Sequence, residues 1–217
     1  MLSLIEKIFN CPICEYKKIK DNCLSVGDFI EKRLIENYFP SLGLSFEKIP
    51  EQKKKKTPDG YILHNQQRIA LVEIKFLEKS KRELKCNSTD EYLHTEIFNE
   101  RMSSGISRAK SQLEIVQNFN GPKIIYFITK SHEAYPSAFQ DAILGIQCIE
   151  IDEGKHLVYA GHAKEWDMFA DGFLTAIFCF SCNPQHKHEL WLYENRKSKY
   201  PLPSHLLDKK YLKYRYT

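Results

Sequence analysis

The chain lacks any apolar run near the roughly 18 residues that cross a bilayer. Its best stretch, Phe173 to Phe180, is under half that length, so neither a membrane-spanning helix nor a membrane partner is expected. A secretory leader is missing from the reading too. The opening MLSLIEKIFN sets Glu6 and Lys7 inside its apolar run and offers no small-residue cleavage site, which points to a soluble protein with a cytoplasmic address. Glycine and proline are few, nine each in 217 residues, and no repeat or low-complexity segment appears apart from the run Lys53, Lys54, Lys55, Lys56. One domain, or one domain with a small appendage, accounts for this length. Neither charge dominates: Lys+Arg 32 against Asp+Glu 28 gives +4, which names no partner unless the positive residues gather in one place. What is present is core material, 42% apolar residues with 13 Phe and 12 Tyr, and this excludes disorder as a description of the whole chain. Seven cysteines, an odd number in a cytoplasmic chain, are expected to be mostly reduced thiols.

Periodicity places a first helix after Ser25, with Val26, Phe29 or Ile30, Leu34 and Tyr38 on one stripe and an end before Pro40. Gly27 and Glu31 lie four apart and share one side of it. Leu44 to Ile49 reads as a strand. Pro58 to Leu63 and Ile69 to Leu77 read as two more, joined by the polar turn His64 to Arg68 at hairpin spacing. Glu78 to Ser103 reads as a long charged connection. A second helix is expected from Ser104, with Ile106, Ala109, Leu113 and Val116 on one stripe and a stop at Asn120, Gly121 and Pro122. Lys123 to Thr129, KIIYFIT, has the continuous apolar character of a strand covered on both faces. The order is α-β-β-β-α-β, an α/β (α+β) chain. A third helix near Ser137 to Leu144 and a strand at Ile146 to Ile151 are expected to extend the sheet. Leu157 to Ala160 is a further short strand, and Phe173 to Phe180 the last buried element. Residues 1–24 form a Cys-containing preface, 25–152 the core and 153–217 a C-terminal extension.

The informative stretch is Thr57 to Leu77. Alternation along Ile69 to Leu77 puts Ala70, Val72, Ile74 and Phe76 on one face and Leu71, Glu73, Lys75 and Leu77 on the other. Two opposite charges thus share an otherwise apolar strand, where they cost desolvation unless paired, solvated or bound to something. Asp59 begins the neighbouring hairpin strand, and the short turn brings its carboxylate toward Glu73. Two carboxylates and a backbone carbonyl, that of Ile74, suit a hard divalent ion such as Mg²⁺ or Mn²⁺. Lys75, two residues beyond Glu73, is placed to orient a nucleophilic water and to stabilise charge on a phosphate.

Pro58-Asp59 followed by Glu73-Ile74-Lys75 resembles the PD-(D/E)XK nuclease superfamily, whose restriction-endonuclease-like core is an α-β-β-β-α-β mixed sheet flanked by helices. The resemblance covers about residues 25 to 130, a little under half the chain, and implies that Asp59 and Glu73 bind the metal and that Lys75 is catalytic. Branches that include the archaeal Holliday-junction resolvases carry a further Glu on the first helix in a G-x-x-x-E setting, which Gly27 and Glu31 match; Glu36 competes for that role. RecB-like members carry a Gln on the helix after the motif, commonly followed four residues later by Tyr. Gln112 fits the first position, and Val116 departs from the second.

Cysteine supplies a second constellation. Cys11-Pro-Ile-Cys14 is zinc-knuckle-like, and Cys179-Phe-Ser-Cys182 repeats the spacing near the other end. The four thiolates, with Cys23, His186 or His188 as substitutes, would close a structural Zn²⁺ site; packed core cysteines are the alternative. Charge supplies a third. Lys53 to Lys56 lead into the Pro58-Asp59 strand and Lys79, Lys81 and Arg82 follow Lys75, so basic residues flank the site on both sides as phosphate contacts would. Residues 195–217 hold seven basic residues against Asp208 alone, with Tyr200, Tyr211, Tyr214 and Tyr216 interleaved. The rest of the chain is close to neutral.

The expected function is Mg²⁺-dependent hydrolysis of DNA phosphodiester bonds by an endonuclease of restriction, defence or repair, acting alone, as a homodimer or within a larger complex. The rivals are an inert nucleic-acid-binding or assembly module of the same fold and a nuclease acting on RNA.

Overall fold

The computed structural model describes residues 26–51, 56–77, 91–129, 136–144, 147–151, 156–160, 168–181, 189–207 and 212–216. Helix α1 (Val26–Arg33) continues through a π-helical stretch, Leu34–Tyr38, into a short segment, Phe39–Ser41. The wider π turn shifts the helical register. Leu34, Tyr38 and Phe39 are therefore all buried although two of them are adjacent in sequence. Pro40 does not end the helix ahead of itself; it sits in the first turn of the last segment, where a missing N–H is no loss.

Strands β1 (Ser45–Lys48), β2 (Gly60–His64) and β3 (Gln67–Leu77) follow as an antiparallel meander. Asn65 and Gln66 close the β2–β3 hairpin with φ of 49° and 65°, the left-handed pair that matches strand twist. Helix α2 (Glu91–Glu114) then crosses to β4 (Lys123–Thr129), which lies parallel to β3. The element order α1-β1-β2-β3-α2-β4 agrees with the sequence reading.

Three elements do not. The segment read as a connection from Glu78 to Ser103 is helical from Glu91 onward. Ser103, Ser104 and Gly105 imitate a helix start, yet they lie inside one continuous helix whose buried stripe is Met102, Ile106, Ala109 and Leu113. Gly105 is there for space: a Cβ on it would stand 2.9 Å from the Phe127 ring, so its absence lets α2 lie close on β4. Helix α3 (Pro136–Leu144) packs beside α2, with the Ser103 hydroxyl donating to the Ala142 carbonyl at 2.9 Å. Strand β5 (Gln147–Ile151) does not extend the main sheet; it pairs with β6 (His156–Ala160) in a separate two-stranded sheet.

The place beside β4 goes instead to β7 (Ala176–Ser181), parallel to it, and β8 (Glu189–Glu194) and β9 (Leu212–Tyr216) follow. Phe173 to Phe180 is thus not the last element, and the region beyond residue 152 supplies three strands of one seven-stranded sheet ordered β1-β2-β3-β4-β7-β8-β9. An uninterrupted apolar strand such as β7 suits the sheet interior better than β5, which carries Glu150.

Alternation divides the core in two. Val72, Ile74, Tyr126 and Phe178 pack with Leu34, Tyr38 and Phe39. Leu71, Ile125, Phe127, Ile177 and Trp191 pack under α2 and α3. Each fully buried apolar side chain contributes on the order of 1.5–3 kcal/mol, so a charge on either face stands out. Glu73 is the single carboxylate among the buried described residues. Among those residues no helix is long and apolar enough to cross a membrane.

Candidate active site

Glu73 sits in β3 on the α2 side of the sheet with its side chain 1% exposed. It is held there by backbone bonds that run both ways across the hairpin. The Asp59 N–H donates to Glu73 Oε2 at 3.1 Å, and the Ile74 N–H donates to Asp59 Oδ2 at 2.6 Å. Each acid therefore accepts a bond from the backbone beside the other. Strand register brings this about: Gly60 stands opposite Val72, so Asp59 comes level with Glu73.

Lys75 alternates onto the same face. Its ammonium donates to Glu73 Oε1 and to Gln112 Oε1, the latter at 2.7 Å. Gln112 in turn donates through Nε2 to the Thr57 carbonyl at 3.1 Å. One amide side chain thus clamps α2 to both strands of the hairpin site, orienting Lys75 with its oxygen and the approach to β2 with its nitrogen.

The two helix glutamates lie in different surroundings. Glu36 is exposed and pairs along its own helix with Lys32 at 3.7 Å. Glu31 points to the site, 3.7 Å from Lys48 Nζ and close enough to feel the charge of Asp59. Lys48, from the end of β1 opposite Gly60, was missed by sequence reasoning, as was the Thr57 carbonyl. Adjacency of Lys48 to Asp59 follows from the β1–β2 register, which hairpin spacing alone does not supply.

Proton affinities reveal an imbalance. Burial, then the negative charge of Asp59, lifts the Glu73 carboxyl to about 7 against the pull of Lys75. Burial raises Asp59 as well, opposed by the Ile74 N–H and by the charges of Lys75 and Lys48. Burial and then Asp59 raise Glu31, with Lys48 opposing. Three carboxyls shifted upward beside two lysines make a place with more negative charge than it can comfortably hold. The donors are all oxygen, and the Asp59 and Glu73 carboxyls lie close enough to interact directly. Those features fit a hard divalent cation. The acids are not drawn tightly round one point: no group of three or more His, Cys, Asp or Glu among the described residues is already gathered to hold a metal ion.

The remaining candidates separate from this group. Cys179 is fully buried in β7 beside Phe127 and Trp191, where burial pushes its thiol well up. Cys11, Cys14 and Cys182 lie outside the described residues, as do Cys23, His186 and His188. Lys56 is exposed just ahead of Thr57; Lys53, Lys54, Lys55, Lys79, Lys81 and Arg82 lie outside.

No family model, curated protein or solved structure matches the chain. The site must be read from its own atoms.

Proposed function

We propose that the protein is a divalent-metal-dependent nuclease of the PD-(D/E)XK kind, with a restriction-endonuclease-like core, that hydrolyses DNA phosphodiester bonds in restriction, defence or repair. The observation that carries this reading is the convergence of Asp59, Glu73, Lys75 and Gln112 in one hydrogen-bonded group at the β2–β3 hairpin, with Glu31 facing it from α1. Asp59 and Glu73, with Glu31 and the Ile74 carbonyl, would hold Mg²⁺ or Mn²⁺. Such an ion, when bound, neutralises phosphate charge and activates water as a nucleophile.

The chain's own residues do the rest. Backbone bonds fix both carboxylates before substrate arrives, which removes the reorganisation cost of assembling them. Lys75 is drawn inward by Glu73 and Gln112 and held where its ammonium can meet a non-bridging phosphate oxygen and orient the attacking water. Burial holds the Glu73 carboxyl at about 7 in the ion-free state, and as a ligand it would release that proton to take up a cation. The exposed Lys56, continuing the run from Lys53, offers sequence-independent contact with the phosphate backbone.

The test is incubation of wild type, Asp59→Ala and Lys75→Ala with plasmid, linear and single-stranded DNA and with RNA, in Mg²⁺ or Mn²⁺. Cleavage of DNA by wild type and its loss in both variants is the expected result. Unchanged cleavage in both variants overturns the site, cleavage of RNA alone changes the substrate, and no cleavage of anything favours a binding module.

A further inference from the structure

Away from the hairpin, the loops before β7 and after β8 are tied into one ledge. Buried Asn195 donates to the carbonyls of Phe169 at 3.1 Å and Leu174 at 2.8 Å. The Thr175 hydroxyl accepts the Lys123 N–H at 3.2 Å and lies 3.1 Å from the Ser198 hydroxyl. Gly172, with φ of 68°, admits the Lys197 carbonyl where a Cβ would stand 2.6 Å from it. These bonds make two short loops rigid, and what the ledge presents is a pair of half-buried rings, Phe173 and Tyr200.

Lys123 stands between them. Its ammonium is 4.9 Å from the Phe173 ring centre and 5.8 Å from that of Tyr200, and Lys199 lies 5.6 Å from the Tyr200 ring. Among the described residues the Lys123 ammonium bonds only to the Phe119 carbonyl, at 3.4 Å, and no carboxylate comes within ion-pair reach. The acid on the ledge, Asp171, is already taken by Lys110 at 2.6 Å. A lysine stem often packs on aromatic rings for its own sake. Here burial also weakens the hold of Lys123 on its proton, a cost that an anion seated beside it would offset. Rings alternating with ammonium groups match the base faces and phosphates of an unpaired strand. Duplex DNA hides its base faces and cannot use the rings.

We propose that this ledge binds a single-stranded segment of the DNA substrate, with bases stacked on Tyr200 and Phe173 and a phosphate on Lys123. The inference rests on the nuclease reading and narrows it to DNA that is unpaired near the cut. Placement supports it: Lys123 is opposite Leu71, two residues before Glu73, on the same face of the sheet. The last turns of α2 reach both places, Gln112 bonding Lys75 and Lys110 bonding Asp171.

The test is fluorescence anisotropy in EDTA with labelled oligo-dT of about twelve nucleotides and a duplex of equal length. Tyr200→Ala and Lys123→Met are each expected to weaken oligo-dT binding on the order of ten-fold, with duplex binding changed less than about two-fold. Tyr200→Phe should restore binding, because stacking needs the ring and not the hydroxyl. Equal losses on both DNA forms, no loss in Tyr200→Ala, or equal competition by polyglutamate would overturn the ledge. Should Lys123→Met melt early, the half-buried loop residue Tyr200 decides alone. Absence of metal separates the two readings. Selective oligo-dT binding by a protein that cuts nothing sinks the nuclease and keeps the ledge, whereas Mg²⁺-dependent cleavage with unaltered oligo-dT affinity in the variants does the reverse.

Discussion

Two acid–base pairs in the β1–β3 meander behave in opposite ways. Glu47 of β1 and Arg68 of β3 meet at the surface, Arg68 Nε donating to Glu47 Oε2 at 2.8 Å, with side chains 42% and 49% exposed. There the hydrogen bond to Arg68 lowers the proton affinity of Glu47. Glu73 and Lys75 also form a bonded pair, yet Glu73 is lifted to about 7. Having a cationic neighbour is therefore not what decides. Removal from water and a second carboxylate outweigh the ammonium at the hairpin, whereas the surface pair has neither burden. The surface pair is complete as it stands, whereas the buried one carries a second carboxylate whose charge the proposed cation would offset.

The largest expected effect comes from breaking the buried pair. Lys75→Met leaves Glu73 enclosed without its ammonium, and DNA cleavage should fall by at least about 10²-fold, with kcat carrying the loss in steady-state assays. Glu73→Gln sharpens the contrast from the other partner. The folded-state value near 7 lies above the ordinary 4.5, so the penalty for ionising Glu73 in the fold is absent below about 4.5 and complete above about 7. Stability of the ion-free protein should therefore decline as pH rises through that window. Glu73→Gln should abolish cleavage, gain on the order of 1–3 kcal/mol at pH 8 in EDTA and flatten the decline in denaturant titrations. A residual slope of the same sign should persist from Asp59 and Glu31.

Cation addition comes next in size. Mn²⁺ should raise the melting temperature more at pH 8 than at pH 5.5, because proton and cation compete for the same carboxylates. An equal rise in Asp59→Ala would show that the ion binds elsewhere. Least of all, Arg68→Ala should leave both cleavage and the melting curve close to wild type, as exposed ion pairs contribute little. A large loss there would erase the distinction between the two pairs.

Much of the hairpin was legible in the sequence because period-two alternation in β3 assigns Glu73 and Lys75 to one face without further information. Asp59 was legible only as a hairpin neighbour of Glu73: regular pairing from the two-residue turn would set it opposite Val72, and the one-residue register shift between Ile62 and Leu63 is what brings it level with Glu73. Gln112 could be named from the family resemblance, but its bond to Thr57 joins residues 55 positions apart and has no local trace. The start of α2 was hidden because Ser103, Ser104 and Gly105 combine capping chemistry with a small residue that is there for packing on Phe127. The course of β7 to β9 was hidden for another reason: which strand takes the place beside β4 is settled by competition among distant segments, and alternation within one strand cannot report it.

The crossed backbone bonds of Asp59 and Glu73 bear on how such a site can be inherited. Both acids, the lysine and the bonds that align the acids lie within residues 59 to 75, one uninterrupted stretch closed by its own two-residue turn. The clamp from Gln112, the approach of Glu31 and the charge of Lys48 come from elsewhere. The stretch behaves as a cassette: sequence change in the surrounding scaffold can be extensive without disturbing the aim of the two carboxylates, because neither depends on a foreign side chain for its direction. The relative placement of the two carboxylates is thus set by the stretch itself rather than by the scaffold around it.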